Sequence, residues 1–268
     1  MATRLGPEGK SLCQGAALRA CSRCSVPPIP IMSPTSIVDL CTAPPLPAEQ
    51  MAEPCLLLDL SASNPRLKGF DVADPAAFGA WVESEVRAAD GTWAAGGYAE
   101  DRIVYGLSPL FGGEGSARSV HLGVDFWMPS GTPVQAIADG RVHSFADNAR
   151  FGDYGPTILV EHRVQGQTFY ALYGHLDRAC LQGLERGQAV QAGQQLARLG
   201  APEVNMGWAP HLHLQLIRDI GGAQGDFPGV CAKAQAGDWL NNCPDPTPIL
   251  RRWCPQLLSS ASPLPSTP

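Results

Sequence analysis

The chain has 268 residues, a formal net charge of −6 at pH 7 and 44% hydrophobic residues, enough for one substantial core. Charged residues are only 16% and no basic cluster occurs, which argues against nucleic acid or an anionic membrane as a partner. No apolar run reaches the length of a membrane span, and 25 prolines with 29 glycines point to many turns and few long helices.

Residues 1–50 are rich in Pro, Ser, Ala and Cys without sustained periodicity, and PPIPIMSP and TAPPLPAE are linker-like, so a disordered leader is expected over 1–50. The first 24 residues carry basic side chains but no continuous apolar stretch. No secretory signal is read there, and a cytoplasmic location is expected, with the cell envelope as the alternative if the start is misplaced. The nine cysteines, odd in number and scattered, favour reduced thiols over a disulfide framework. CSRC (21–24) has half of a zinc-site spacing, but no matching second pair follows. An N-terminal extension is expected over 51–102, with LLLDL (56–60) as a short strand and one clear helix over 75–89. Asp74 can cap that helix, Pro75 suits its first turn, and Phe78, Trp81, Val82 and Val86 form its apolar stripe.

From 103 to 221 the texture changes to short β-rich runs between Gly, Pro and Asp turns: IVYGL, VHLGVDFW, PVQAIADGRVHSF, PTILVEHRV, TFYALYGHL, QAVQAG, QQLARLG and HLHLQLIRD. This spacing predicts one all-β domain of antiparallel type. FGGEGSAR (111–118) lacks the Lys-Ser/Thr ending of a phosphate loop and reads as a flexible groove-lining loop. Residues 222–256, with DFPGVC and NNCPDPTPIL, read as coil packed on the domain, and 257–268 as a disordered tail.

Six histidines occur, and two of them stand one residue apart in PHLHLQLIR (210–218). On a helix they would diverge by about 200°. On a strand His211, His213 and Gln215 share one face while Leu212, Leu214 and Leu216 share the other. HLGVD (121–125) sets His121 and Asp125 four apart, again one face of a strand. His, Asp and His suit Zn²⁺, at roughly 2.0–2.1 Å for nitrogen and about 2.0–2.2 Å for oxygen, with a fourth position left for water. Only one of the paired histidines need bind the metal. The other lies about 7 Å along the strand, placed to serve water or substrate. His143 in RVHSF and His162 in VEHRV read as ordinary solvated strand residues.

HLGVD, YGHL (173–176) and PHLHLQ (210–215), in that order and separated by β-rich sequence, resemble the lysostaphin-type zinc endopeptidases, which cut peptide cross-bridges or stems in bacterial peptidoglycan. GTPVQAIADGRV (131–142) and GQAVQAGQQLARLG (187–200) are similar to that family's strand–turn framework, and the likeness covers about residues 100–220. It implies an antiparallel barrel-sandwich hybrid carrying one N-terminal helix and coil extensions. It also implies one zinc per chain held by His121, Asp125 and His213, with His211 as general base and His175 as a second catalytic histidine. The substrate implied is a peptide or peptidoglycan. Around the groove, Trp208 and Asn205 of NMGWAP replace the Ser or Thr with Gly that the family usually carries. Arg118 is a candidate for a substrate carboxylate, and Tyr173 for a hydrogen bond to a reaction intermediate, with surface exposure and packing as their respective alternatives. Gln215 stands where the family often has Glu, which puts the substrate in doubt rather than the metal.

A narrower likeness joins LLLDLSAS, GGYAEDR, FADN with DYGPTI, DFPGVC and CPDPTPIL. Together these resemble the peptidase-like middle segment of larger proteins in which a kinase-like phosphotransferase precedes it and a class III aminotransferase follows. That likeness implies association with kinase-like and aminotransferase domains, and it motivates a rival reading of a non-hydrolytic zinc-binding module. A phosphohistidine carrier is a third reading. Asp125 argues against it, because a carboxylate beside the site would repel phosphate.

Overall fold

The computed structural model describes residues 34–102, 118–150 and 152–259. CSRC, the strand expected at IVYGL and the loop read from FGGEGSA lie outside the described residues. The helices are α1 (Pro34–Asp39), α2 (Ala48–Met51), α3 (Pro75–Ala88), α4 (Ala236–Asn242) and α5 (Thr247–Trp253). The strands are β1 (Cys55–Leu58), β2 (Trp93–Gly96), β3 (Arg118–His121), β4 (Val124–Trp127), β5 (Pro133–Gln135), β6 (Gly140–Asn148) and β7 (Gly155–Val164). They continue with β8 (Gln167–Gly174), β9 (Ala189–Val190), β10 (Gln195–Arg198), β11 (His211–Ile217), β12 (Val230–Ala232) and β13 (Leu257–Ser259).

Nine strands form one open sheet in the order β13-β1-β2-β4-β11-β8-β7-β6-β9, and β10 with β5 and β12 with β3 make two small ribbons. The protein is mostly β, but the sheet does not close into a barrel. Nor is it wholly antiparallel, because β1 runs parallel to both β2 and β13. The β1–β2 pair is parallel because α3 crosses over between them, returning the chain to the same end of the sheet. Inside α3 the Asp74 carboxylate accepts the Ala76 amide at 2.9 Å, Pro75 occupies the first turn, and Phe78 and Val82 are buried against Leu56, Leu58 and Trp127.

The stretch expected as a disordered leader is ordered in its last third. Ile37, Val38, Leu40, Cys41 and Leu46, with Met51 just after that stretch, are buried in the main core. Their apolar side chains lack a regular period because they are inserted by two short helices and a Pro-rich turn rather than by one amphipathic element. The C-terminal stretch read as coil contains β12, α4 and α5, and part of the stretch read as tail forms β13. All six cysteines among the described residues are free thiols.

The middle of the sheet is where the sequence pattern matters most. Leu212, Leu214 and Leu216 of β11 are fully buried with Val124 and Phe126, each worth about 1.5–3 kcal/mol of burial. The opposite face of β11 is polar yet also covered. Ile220, Phe227, Cys231 and Cys243 pack with Leu159 and Leu172 on that side, so the histidine face is roofed by the C-terminal segment.

Candidate metal centre

Strand register brings the predicted ligands together. β4 and β11 pair antiparallel with Asp125 opposite His213, and directly opposed residues project to the same face. His121 arrives from β3, four residues before Asp125. Gly123, between them, permits the approach: a Cβ there would lie 2.7 Å from the His213 ring. The ligand atoms of His121, Asp125 and His213 all lie within 4.8 Å of one another, and all three residues are buried.

The tautomers follow from hydrogen bonds further out. His121 Nδ1–H donates to the Gly97 carbonyl at 2.9 Å, so Nε2 carries the bare lone pair. Gln215 spends its NH₂ group on the Pro228 carbonyl at 3.0 Å and on Cys243 Sγ at 3.3 Å. Its oxygen therefore faces His213 and accepts Nε2–H at 3.1 Å, which leaves His213 Nδ1 bare. These two nitrogens are 3.0 Å apart, and Asp125 Oδ1 lies 3.0 Å from His213 Nδ1 and 3.4 Å from His121 Nε2. Three electron-rich atoms on buried side chains repel unless a cation joins them. A tetrahedral Zn²⁺ with roughly 2.0–2.1 Å bonds needs donor separations of about 3.3 Å, so both the spacing and the donor chemistry fit zinc.

The electrostatics hold these protonation states. Burial, then the nearby Arg102 charge, pushes the His121 pKa down to about 4, so the imidazole is neutral at neutral pH. Burial opposes ionisation of Asp125, but in the acid range where His121 is protonated its charge, with the Arg102 guanidinium, outweighs burial and holds the carboxyl well below the usual carboxylate range. Arg102, only 3% exposed, donates from Nη1 to Asp125 Oδ2 at 2.5 Å.

The two remaining histidines flank the triad. His211 Nδ1–H donates to the Ala209 carbonyl at 2.7 Å, leaving Nε2 as a base, and its ring stacks on Trp127 with centroids 5.5 Å apart. His175 lies 3.9 Å from His211, centroid to centroid, on a left-handed backbone with φ of 62°, and its Nδ1 is a buried atom without a hydrogen-bond partner among the described residues. Burial comes first in lowering both pKa values, below the ordinary histidine value for His211 and well below it for His175. Both rings are neutral proton acceptors at neutral pH.

Residues 119–225 match the sequence model of Peptidase family M23. An uncharacterized metalloprotease of Haemophilus influenzae is 36% identical over 95 residues, 35% of this chain and 18% of that protein. The peptidoglycan DD-endopeptidase ShyA of Vibrio cholerae is 35% identical over 97 residues, 36% of this chain and 20% of that protein. The match thus spans about a fifth of each relative's length. Among solved structures, the catalytic domain of lysostaphin from Staphylococcus simulans aligns with 65% of this chain and 97% of its own at 26% identity and a TM-score of 0.36.

The residues named for the substrate groove separate in space. Tyr173 is fully buried on the other face of β8, level with Leu214, and its hydroxyl accepts the Ile137 amide at 3.1 Å. It is a core residue, and its place in YGHL misleads because β8 ends at Gly174 and His175 takes a left-handed backbone, so the parity that would set Tyr173 and His175 on one face is broken. Asn205 is also fully buried, donating from Nδ2 to the Ala201 carbonyl at 3.3 Å. Trp208 is half-buried against Phe78 of α3, centroids 5.6 Å apart. Arg118 opens β3, half-buried.

Sequence reasoning missed Tyr154, whose ring lies 5.0 Å from His213 and 5.9 Å from His175. It also missed Arg102 and Gly97, which precede the matched segment, and Pro228 and Cys243, which follow it. Tyr154 entered only inside DYGPTI, as part of the narrower likeness, with no role given to it. Nothing in GGYAEDR signals by periodicity that its arginine faces a carboxylate.

Proposed function

We propose that this protein is a zinc-dependent peptidase whose substrates are short peptides of the peptidoglycan type. The observation that carries the reading is the convergence of two imidazole nitrogens and one carboxylate oxygen, 3.0–3.4 Å apart, on three buried residues. His121 through Nε2, Asp125 through Oδ1 and His213 through Nδ1 would hold the ion. Zinc bound there supplies Lewis acidity, polarising a carbonyl and acidifying water.

The chain's own residues do the rest. His211, fixed by the Ala209 carbonyl, presents Nε2 as the general base and later returns the proton to the departing amine. His175, in contact with His211, orients water or donates to the oxygen that gains charge as the carbonyl carbon becomes tetrahedral. The relative named a peptidoglycan DD-endopeptidase supports the substrate class. The histidine roles rest on the geometry.

The test is metal analysis combined with product analysis. The full chain should carry about one zinc, and mass spectrometry should detect cleaved fragments from peptidoglycan or from Gly-rich and D-amino-acid peptides, abolished by a chelator. A chain that takes up no zinc overturns the reading. Zinc uptake with no cleavage of any of these substrates overturns the peptidase assignment in favour of a non-hydrolytic zinc module.

A further inference from the structure

Asp125 has two oxygens, and only Oδ1 faces the imidazoles. Oδ2 is taken by Arg102 Nη1 at 2.5 Å. Arg102 in turn donates from Nε to Glu100 Oε2 at 2.8 Å, and Glu100 Oε1 accepts the Leu60 amide at 2.8 Å. The backbone beneath this relay is locked to the ligand strand. The His121 amide donates to the Glu100 carbonyl, the Ala99 amide to the His121 carbonyl and the Arg102 amide to the Ser119 carbonyl, each at 2.9 Å.

Space is reserved for the guanidinium as well. Gly96 stands opposite Asp125 in the β2–β4 pairing. A Cβ there would come within 2.6 Å of the Trp127 ring and 3.0 Å of Arg102 Nη2. A glycine inside a strand weakens it, so this position gives up strand stability to admit the Trp127 ring first and the guanidinium beside it.

We infer that Arg102 is a positioning residue for the metal centre: its guanidinium, anchored by Glu100, fixes Asp125 so that a single carboxylate oxygen faces the cation. The inference rests on reading His121, Asp125 and His213 as the metal site, and it extends that site into a segment before the family-matched residues. A buried ion pair is poor evidence of stabilisation by itself, because desolvation offsets the attraction. Here the pair has a directional task. A guanidinium satisfies two carboxylates at fixed angles, whereas an ammonium is a point charge without that planar fork. Without it, Asp125 is free to swing both oxygens toward the ion or away from it.

The test uses the full chain and two variants, Arg102→Met and Arg102→Lys, read by Zn²⁺ affinity in chelator competition and by the visible spectrum of the Co²⁺-substituted protein. Four-coordinate Co²⁺ absorbs far more strongly than five- or six-coordinate Co²⁺, so the band reports whether Asp125 keeps its one-oxygen pose. R102M is expected to weaken Zn²⁺ binding by about 10–100-fold and to change the Co²⁺ band, and R102K is expected to show a partial form of both changes. A folded R102M with parental affinity and spectrum overturns the inference. If R102M does not fold, R102K decides by the same two readouts. A parental chain that binds no zinc overturns the metal-site reading instead, so the two failures are distinct.

Discussion

His213 on β11 and His162 on β7 sit in one sheet, two strands apart, and both are buried. Their surroundings differ completely. His162 Nδ1–H donates to the Asp139 carbonyl at 3.0 Å and its ring stacks on Phe169 with centroids 4.9 Å apart. Its Nε2 meets no hydrogen-bond partner among the described residues. His213 uses one nitrogen on Gln215 and turns the other toward His121 and Asp125. Burial and desolvation are thus shared by a histidine that packs and one that points. What separates them is whether a bare nitrogen meets other bare donors.

Substitution should split the pair most sharply in metal content. His213→Ala is expected to drop zinc from about one per chain to near zero in elemental analysis after dialysis, while His162→Gln keeps it. Loss of zinc from H162Q would break the distinction. A second measurement sharpens it within the site. His211→Ala should retain the metal and lose about 10²–10⁴-fold in kcat/KM, the usual worth of a positioned general base. If zinc departs with His211, that residue belongs with the ligands.

The smallest expected effect is on acid stability. Burial pushes the His162 pKa down to about 4, so the unfolded chain binds more protons between about pH 6.5 and 4, and stability falls as pH falls through that window. A shift of this size corresponds to roughly 3 kcal/mol. In chelator-treated protein the urea midpoint should therefore decline from pH 6.5 to 4, and H162Q should make the decline shallower, the remainder belonging to the other buried histidines. An unchanged slope in H162Q would mean that His162 does not titrate there.

The histidine face of β11 was legible in the sequence because side chains along one strand alternate between faces. The alternation from His211 to Leu216 fixes which side chains of β11 share a face, whereas His121 and Asp125 fall on separate strands, β3 and β4, so their even spacing did not by itself place them together. His162 was misread as solvated. Its cross-strand neighbour is Gly140, where a Cβ would come within 2.8 Å of Nδ1, so the imidazole is covered through a gap that alternation does not reveal. Arg102 was illegible for a related reason, since its partner Asp125 is 23 residues away and no local pattern couples them. The open sheet was missed because the parallel β1–β2 and β1–β13 pairings join segments far apart along the chain, the second roughly two hundred residues apart.

That last pairing has a consequence for how the molecule is made. β1 holds its place between β2, on its inner side, and β13, the final strand of the described residues. Every residue of the metal centre is synthesised before β13, so the centre's strands are free to assemble while β1 still has a bare outer edge. Closing so long a loop adds only logarithmically to its entropy, but contacts this distant in sequence slow folding. Until β13 arrives, a nascent chain presents an unpaired apolar edge open to other chains. Newly made protein should therefore be most aggregation-prone at the moment when its chemistry is already in place.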